Sequence, residues 1–286
     1  TMSGEMCDSF ENRVEGVRKI LGYFKRFANS YVYTQNKGVI SLKNNLSTQN
    51  IASSNWHVIA KYMSKKVKNA IIVDLGSTTT DFILVKNSNI INKRVSDFSG
   101  LSSKELLYTG CLRTPPYIFK RSFQINKTRV QIIPENFSSL ADIYRITKKL
   151  PKNHYYCTTC DDKDRDIKSC LVRFARNFGL DYKIKYKKSL VLAASEIVDL
   201  HSATLNKTID YHIKKNFLSI KNVKIIGVGI GAEIIKDICI QNHKEYLDLS
   251  SIMRVSVSRT KISPCHIAPA YFLANMLKEE SFFAQN

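Results

Sequence analysis

Apolar residues recur at helical spacing near the start of the chain. Val14, Val17, Ile20, Leu21 and Phe24 share one face and predict an amphipathic helix. Tyr31–Thr34 and Gly38–Leu42 follow as short β-prone runs on either side of Gln35-Asn36-Lys37, the pattern of a hairpin. A second helix is expected from about Thr48 to Lys65, capped near Ser47 or Thr48 and holding the only tryptophan, Trp56. The period then changes. Ala70–Asp74, Thr80–Val85 and Ile90–Arg94 predict three strands, the last two joined by the Asn87-Ser88-Asn89 turn. A helical turn is read at Ser102–Tyr108, a strand at Thr128–Ile133 and a helix at Ser138–Lys149. Pro151–Asp166 is polar and turn-rich, a surface connection. Helical periodicity returns over Ile167–Phe178 and Leu190–Phe217. Val223–Val228 reads as a strand ending in Gly229-Ile230-Gly231, with helices at Ala232–Ile240 and about Ala268–Leu277. Strands and helices intermixed in this way predict an α/β fold.

Charge alters that picture less than its size suggests. The net charge of +20 invites a nucleic-acid reading. However, Lys outnumbers Arg 31 to 13, and Ile (31) and Asn (21) are inflated as well, as A/T-rich codons alone would produce. The lysines are scattered in pairs such as Lys65-Lys66, Lys148-Lys149 and Lys187-Lys188, with no aromatic-interleaved stripe. No specific nucleic-acid partner is expected, while a field favouring anionic small molecules is. No apolar run reaches the roughly 18 residues of a membrane span, and Glu5, Asp8 and Glu11 interrupt the N-terminus before any signal-peptide core. A soluble, cytoplasmic protein without a membrane partner is therefore expected. Seven cysteines at irregular spacing suit reduced thiols better than a disulfide framework. His154, Cys157, Cys160 and Cys170 have the spacing of a zinc set, but no second Cys-x-x-Cys supports it.

The candidate chemistry centres on Asp74-Leu75-Gly76-Ser77-Thr78-Thr79-Thr80-Asp81, between two predicted strands. Gly76 permits a tight turn and close backbone approach. The hydroxyls and amides of Ser77, Thr78, Thr79 and Thr80 are donors suited to phosphate oxygens. Asp74 and Asp81 are placed to hold Mg²⁺ directly or through water. A Ser/Thr-rich turn that caps itself is the alternative; two acids, a glycine and four hydroxyls within eight residues favour phosphate. A second signal is Ile225–Gly231 before a helical pattern, where Gly227, Gly229 and Gly231 admit a phosphate or nucleotide such as ATP to a helix N-terminus. Glycine for strand–helix packing is the plainer account of that turn. Arg113, ahead of Pro115-Pro116, is read either as a bidentate diphosphate clamp or as a structural ion-pair partner. Glu5, Asn55 and Trp56 are candidate substrate contacts, with packing as the other reading of Trp56. Asp142 is read as a site acid or a solvated one.

Taken in order, Thr1-Met-Ser-Gly-Glu5, Asn55-Trp56, Val73–Asp81, Glu105–Gly110 with Arg113-Thr-Pro115, Phe137 with Ala141-Asp142, and Arg173-Phe-Ala-Arg176 resemble the hydantoinase/oxoprolinase family. The likeness is to its group tied to tetrahydromethanopterin-linked one-carbon metabolism, and Glu105 matches the motif acid, for which the resemblance implies general acid/base or Mg²⁺ duty. That resemblance implies an actin-like (ribonuclease H-like) ATPase-domain fold of two lobes, with residues 1–66 in the first and 67–286 in the second. It also implies a synthase joining an aminomethylfuran-methyl diphosphate to a γ-glutamyltyramine-type phenol in methanofuran-type carrier synthesis. ATP-dependent hydrolysis or small-molecule phosphoryl transfer is the alternative, and a non-catalytic nucleotide-binding remnant a second. Family members carry an Asp-Ile-Gly-Gly-type hairpin ahead of the Thr-Met-x-Gly-Glu segment, where this chain begins. The first lobe is accordingly expected to lack its front, leaving an apolar face open around Tyr31–Leu42. Thr159-Cys-Asp-Asp162 stands where the family has an Ala-Asp-Gly-like element.

Overall fold

The computed structural model describes residues 2, 4–27, 29–43, 47–253 and 264–283; Thr1 and Ser3 of the first motif lie outside the described residues. In chain order the elements are α1 (Arg13–Phe24), β1 (Tyr31–Thr34), β2 (Gly38–Ser41), α2 (Asn55–Ser64), β3 (Asn69–Leu75), β4 (Thr80–Lys86), β5 (Asn89–Ile90), α3 (Asp97–Ser103) and β6 (Leu106–Leu107). They continue with β7 (Ser122–Ile125), β8 (Thr128–Gln131), α4 (Leu140–Ile146), α5 (Ile167–Arg176), α6 (Lys187–Asn216), β9 (Lys224–Val228), α7 (Ala232–Gln241) and α8 (Ala268–Phe283). The fold is mixed α/β. Its largest sheet has the strand order β5-β4-β3-β9, with β6 also paired to β4; β1-β2 and β7-β8 are separate hairpins. By internal contacts the chain divides into two compact units interleaved along the sequence. One holds Thr1–Ile72, Ile83–Glu105 and Asp248–Asn286, the other Val73–Phe82 and Leu106–Leu247. The sequence reading draws one boundary near residue 66. No helix among the described residues is long and apolar enough to cross a membrane.

In the first unit, Asn12 caps α1 by accepting from the Glu15 amide at 3.0 Å. Met2, Val17, Leu21, Val32, Leu42, Ile51 and Ala52 form one buried cluster. The open face expected around Tyr31–Leu42 is covered in part: Val32, Tyr33 and Leu42 are buried, Val32 and Leu42 in one cluster with Val17, Leu21, Ile51 and Ala52, while Val39 and Ile40 are half-buried and Tyr31 is exposed. The single helix predicted from Thr48 is also divided. Thr48–Asn50 is one 3-10 turn, and Ser53 takes a positive φ of 49° before α2 begins. Glu5 holds that break, its Oε1 accepting from the Ser53 amide at 2.7 Å and the Ser53 hydroxyl at 3.1 Å. Tyr62 of α2 stacks on Phe272 of α8 with ring centroids 4.3 Å apart.

The strand predicted over Ile90–Arg94 stops at Ile90. Beyond it Asn92 accepts the Leu84 amide at 2.7 Å, and the amides of Lys93 and Arg94 turn to the Glu105 carboxylate. Backbone donors satisfied by side chains leave no ladder to extend. The helical turn read at Ser102–Tyr108 is α3 instead, set earlier by the Ser96/Ser99 capping box and ended at Lys104 with φ 60°. In the second unit the sequence reading finds β8 but not its partner β7, paired from Ser122↔Gln131 to Ile125↔Thr128. The helix α6 runs 30 residues and buries Leu190, Ala194, Ile197, Leu205 and Ile209.

Candidate phosphate site

The turn between β3 and β4 is closed by the Gly76 amide donating to the Thr79 carbonyl at 2.9 Å. A Cβ at Gly76 would come within 3.3 Å of that carbonyl oxygen, so glycine suits the turn. Asp74 and Asp81 are half-buried, whereas Val73, Leu75, Thr80 and Phe82 beside them are buried. Buried Thr80 anchors the start of β4, its hydroxyl donating to the Thr109 carbonyl at 2.7 Å. Ser77, Thr78 and Thr79 are half-buried. The Ser77 and Thr78 hydroxyls lie 3.4 Å apart, and their backbone amides have no acceptor among the described residues. Amide donors left without an acceptor in a turn are suited to the oxygens of an anion.

Two backbone segments of the same unit brace this turn. On one side the amide of Cys111 donates to the Gly76 carbonyl at 2.9 Å. Those of Leu112 and Arg113 both donate to the Ser77 carbonyl, at 3.1 and 2.8 Å. The approach requires Gly110, because a Cβ there would collide with the Thr78 amide nitrogen and lie 2.6 Å from the Ser77 oxygen. On the other side the Gly231 amide donates to the Leu75 carbonyl at 2.9 Å. Gly229, at φ 80°, has room for no Cβ, which would stand 2.5 Å from Asp74 Oδ1 and 2.7 Å from the Leu75 oxygen. Gly227 is close to the start of α7, where a Cβ would meet the Ala232 oxygen at 2.7 Å.

The structure thus brings Asp74, Gly76–Asp81, Gly229 and Gly231 together with the backbone of Arg113, whose side chain is exposed. Gly110, the end of the Glu105–Gly110 motif, joins them with Cys111 and Leu112, neither of which the sequence singles out. The Cys111 thiol sits under the turn and donates to the Gly76 oxygen at 3.3 Å, and burial pushes its pKa up to about 12, which leaves it an inert filler.

The other sequence candidates, Glu5, Asn55, Trp56 and Glu105, belong to the first unit. Glu105 is buried, with Oε1 accepting from Lys93 N at 3.0 Å and Oε2 from Arg94 N at 3.0 Å. Its carboxylate is therefore engaged in holding backbone. The Arg94 guanidinium lies over the Trp56 ring at 4.1 Å and donates to the Glu105 carbonyl at 3.3 Å, so buried Trp56 packs against a cation. His57 pairs with the Tyr33 hydroxyl at 2.7 Å; burial, then Lys61 and Arg94, lower its pKa to about 4. Glu5 is buried on Ser53, and Asn55 is the half-buried first residue of α2.

Asp142 is not a solvated acid. It is fully buried against Arg173, because its carboxylate completes the capping box at the start of α4. Asp161, in the segment where the family has its Ala-Asp-Gly-like element, pairs with Arg173 and Arg176. No group of three or more His, Cys, Asp or Glu side chains among the described residues is arranged to hold a metal, so His154, Cys157, Cys160 and Cys170 form no such set. Asp74 and Asp81 offer two hard oxygen donors, the chemistry that suits Mg²⁺ alongside phosphate oxygens.

The sequence model of the Hydantoinase/oxoprolinase family matches residues 1–279. A (4-{4-[2-(gamma-L-glutamylamino)ethyl]phenoxymethyl}furan-2-yl)methanamine synthase of Methanocaldococcus jannaschii is 28% identical over 240 residues, 82% of this chain and 71% of that protein. The synthase of the same name from Methanococcus vannielii is 30% identical over 183 residues, 62% of this chain and 78% of its own. Among solved structures, a nucleotide-free acetone carboxylase aligns with 76% of this chain at 15% identity and a TM-score of 0.47; the chain spans about a third of that protein, 32%.

Proposed function

The chain belongs to the hydantoinase/oxoprolinase family, and from that membership we propose that it is an actin-like, diphosphate-handling synthase that forms the aryl ether of a methanofuran-type carrier. The observation that carries this reading is the Asp74–Asp81 turn, held between the Gly110–Arg113 and Gly229–Gly231 backbones with the Ser77 and Thr78 amides free to donate. The product in the relatives' name contains a phenoxymethylfuran, an ether between a phenol oxygen and a furfuryl carbon. Making that bond from a phenol requires a leaving group on the furfuryl carbon, and a phosphate-binding turn suits a diphosphate.

In the proposed reaction the carbon–oxygen bond to diphosphate breaks with its electron pair going to the leaving oxygen. The furan ring delocalises the positive charge left on the methylene. The phenol oxygen of a γ-glutamyltyramine-type substrate then bonds to that carbon, and its proton passes to water. Donors at Ser77, Thr78 and Thr79 and the Arg113 guanidinium stabilise the departing charge, as fixed dipoles and cations do best where charge develops. Asp74 and Asp81 are the residues that would hold Mg²⁺, whose charge would offset that of the diphosphate. ATP has no part in this balance.

The test is to supply an aminomethylfuran-methyl diphosphate with the phenol and follow ether and pyrophosphate by mass spectrometry. The reading expects one pyrophosphate per ether without nucleotide. Stoichiometric ADP release during turnover would move the activity to ATP-dependent hydrolysis or phosphoryl transfer.

A further inference from the structure

Arg173 and Asp142 are both completely buried, and the site as described makes no use of them. Asp142 Oδ1 accepts from Arg173 Nε at 2.9 Å, Arg173 Nη2 at 2.7 Å and the Tyr155 hydroxyl at 3.1 Å. Its Oδ2 accepts from the Ser139 amide at 3.1 Å, which closes the first turn of α4. Burial works against charge on Arg173, but the hydrogen bonds and charge of Asp142 hold its pKa above the usual arginine value. Arg173 Nη1 also reaches Asp161 at 2.9 Å and the Asp164 carbonyl at 3.0 Å. A buried ion pair of this kind contributes little net stability over a well-packed apolar replacement. Stability alone therefore does not account for it, and its geometry does more.

That geometry is visible in the hydrogen bonds leaving α4. The Leu140 amide donates to the Thr114 carbonyl at 2.8 Å, and the Ala141 amide to the Leu112 carbonyl at 3.0 Å. Leu112 is thus held on both sides. Its oxygen is fixed by α4, while its own amide, with that of Arg113, fixes Ser77 of the phosphate turn. The Thr114 hydroxyl ties back to the Gly110 carbonyl at 2.8 Å, and Gly110 has no clearance against Thr78. A chain of backbone contacts without slack therefore runs from Asp142 to the turn.

We infer that the Asp142–Arg173 pair is a positioning device for the phosphate turn, acting through the first turn of α4 and the Leu112–Thr114 segment. This deepens the diphosphate reading and rests on it for its functional consequence. Sites of this kind work only when their donors are held to about 0.5 Å, which a second layer of buried bonds provides.

The experiment uses Arg173→Lys and the milder Tyr155→Phe in the full chain, with two readouts. Amide hydrogen exchange is followed at Cys111–Arg113, with the β7–β8 hairpin as internal control, and affinity for Mg²⁺-pyrophosphate is measured by titration. In Arg173→Lys, exchange at 111–113 is expected to rise about tenfold with the hairpin unchanged, and pyrophosphate affinity to fall by a similar factor; Tyr155→Phe shifts both about threefold. Parent-like exchange at 111–113, or a rise there matched by the hairpin, overturns the inference. The exchange readout does not depend on what the turn binds. A parent chain that ignores pyrophosphate would sink the functional reading while exchange still decides the positioning role.

Discussion

Two acidic regions of the second unit have opposite environments. Asp142 is fully buried, and its oxygens accept from an arginine, a tyrosine and a backbone amide. Asp74 and Asp81 are half-buried, on either side of a turn whose Ser77 and Thr78 amides have no acceptor among the described residues. Both regions are acidic and both are held by backbone hydrogen bonds. The first is enclosed by protein donors, and the second keeps its acids partly open to solvent beside two donor amides. Burial separates an acid that shapes the fold from one within reach of a ligand, and sequence shows only the acid.

The largest effect should come from breaking the enclosed region. Asp142→Ala leaves the Arg173 charge buried without its main partner, and is expected to lower unfolding free energy by about 3–5 kcal/mol, read by urea denaturation. A loss below about 1 kcal/mol, the range of an exposed pair, would erase the contrast between the regions. The same buried layer should respond to pH. His201 is buried, paired with the Tyr144 hydroxyl at 2.8 Å, and burial lowers its pKa from 6.5 to about 4. The unfolded chain takes up that proton first as pH falls, so this contribution is complete above about 6.5 and is lost progressively toward 4. His201→Gln should flatten part of that slope in denaturation curves across the window, and an unchanged slope would remove His201 as a cause.

Smaller effects sharpen the comparison at the turn. Gly110→Ala forces a Cβ into Ser77 and Thr78 and should cost about 1–3 kcal/mol, the usual range for overpacking, together with the loss of pyrophosphate binding. Binding retained at parent affinity would mean that the turn tolerates displacement. Glu105→Gln removes one of the acceptors of the Lys93 and Arg94 amides and is expected to cost about 1–2 kcal/mol in thermal unfolding. Undiminished stability would contradict a backbone-holding role for this residue.

The phosphate turn was legible because its chemistry lies in eight contiguous residues whose spacing alone places two acids around a glycine turn. Its walls were not. Cys111 bonds Gly76 from 35 residues away, and Gly229 approaches Asp74 from still farther along the chain. Glycines there looked like nucleotide contacts or simple packing, and only the fold shows that Asp74 and Leu75 fill the space beside them. The Asp142–Arg173 pair is separated by 31 residues, and the break before α2 depends on Glu5 bonding Ser53 across 48. A local propensity reading extends the helix through that break because the restraint is not local. The strand β7 was missed for a related reason. Ser122–Ile125 is four residues flanked by Arg121 and Asn126, too short to register until β8 is seen beside it.

The proposed role of the Asp74–Asp81 turn is to receive a diphosphate with Mg²⁺. The most direct measurement is calorimetric titration of pyrophosphate into the parent chain and into Asp81→Asn, each with and without Mg²⁺, alongside urea denaturation of both. The parent should bind only when Mg²⁺ is present, and Asp81→Asn should lose binding while still unfolding in one cooperative urea transition. Equal affinity in the two proteins, or binding indifferent to Mg²⁺, would contradict the claim.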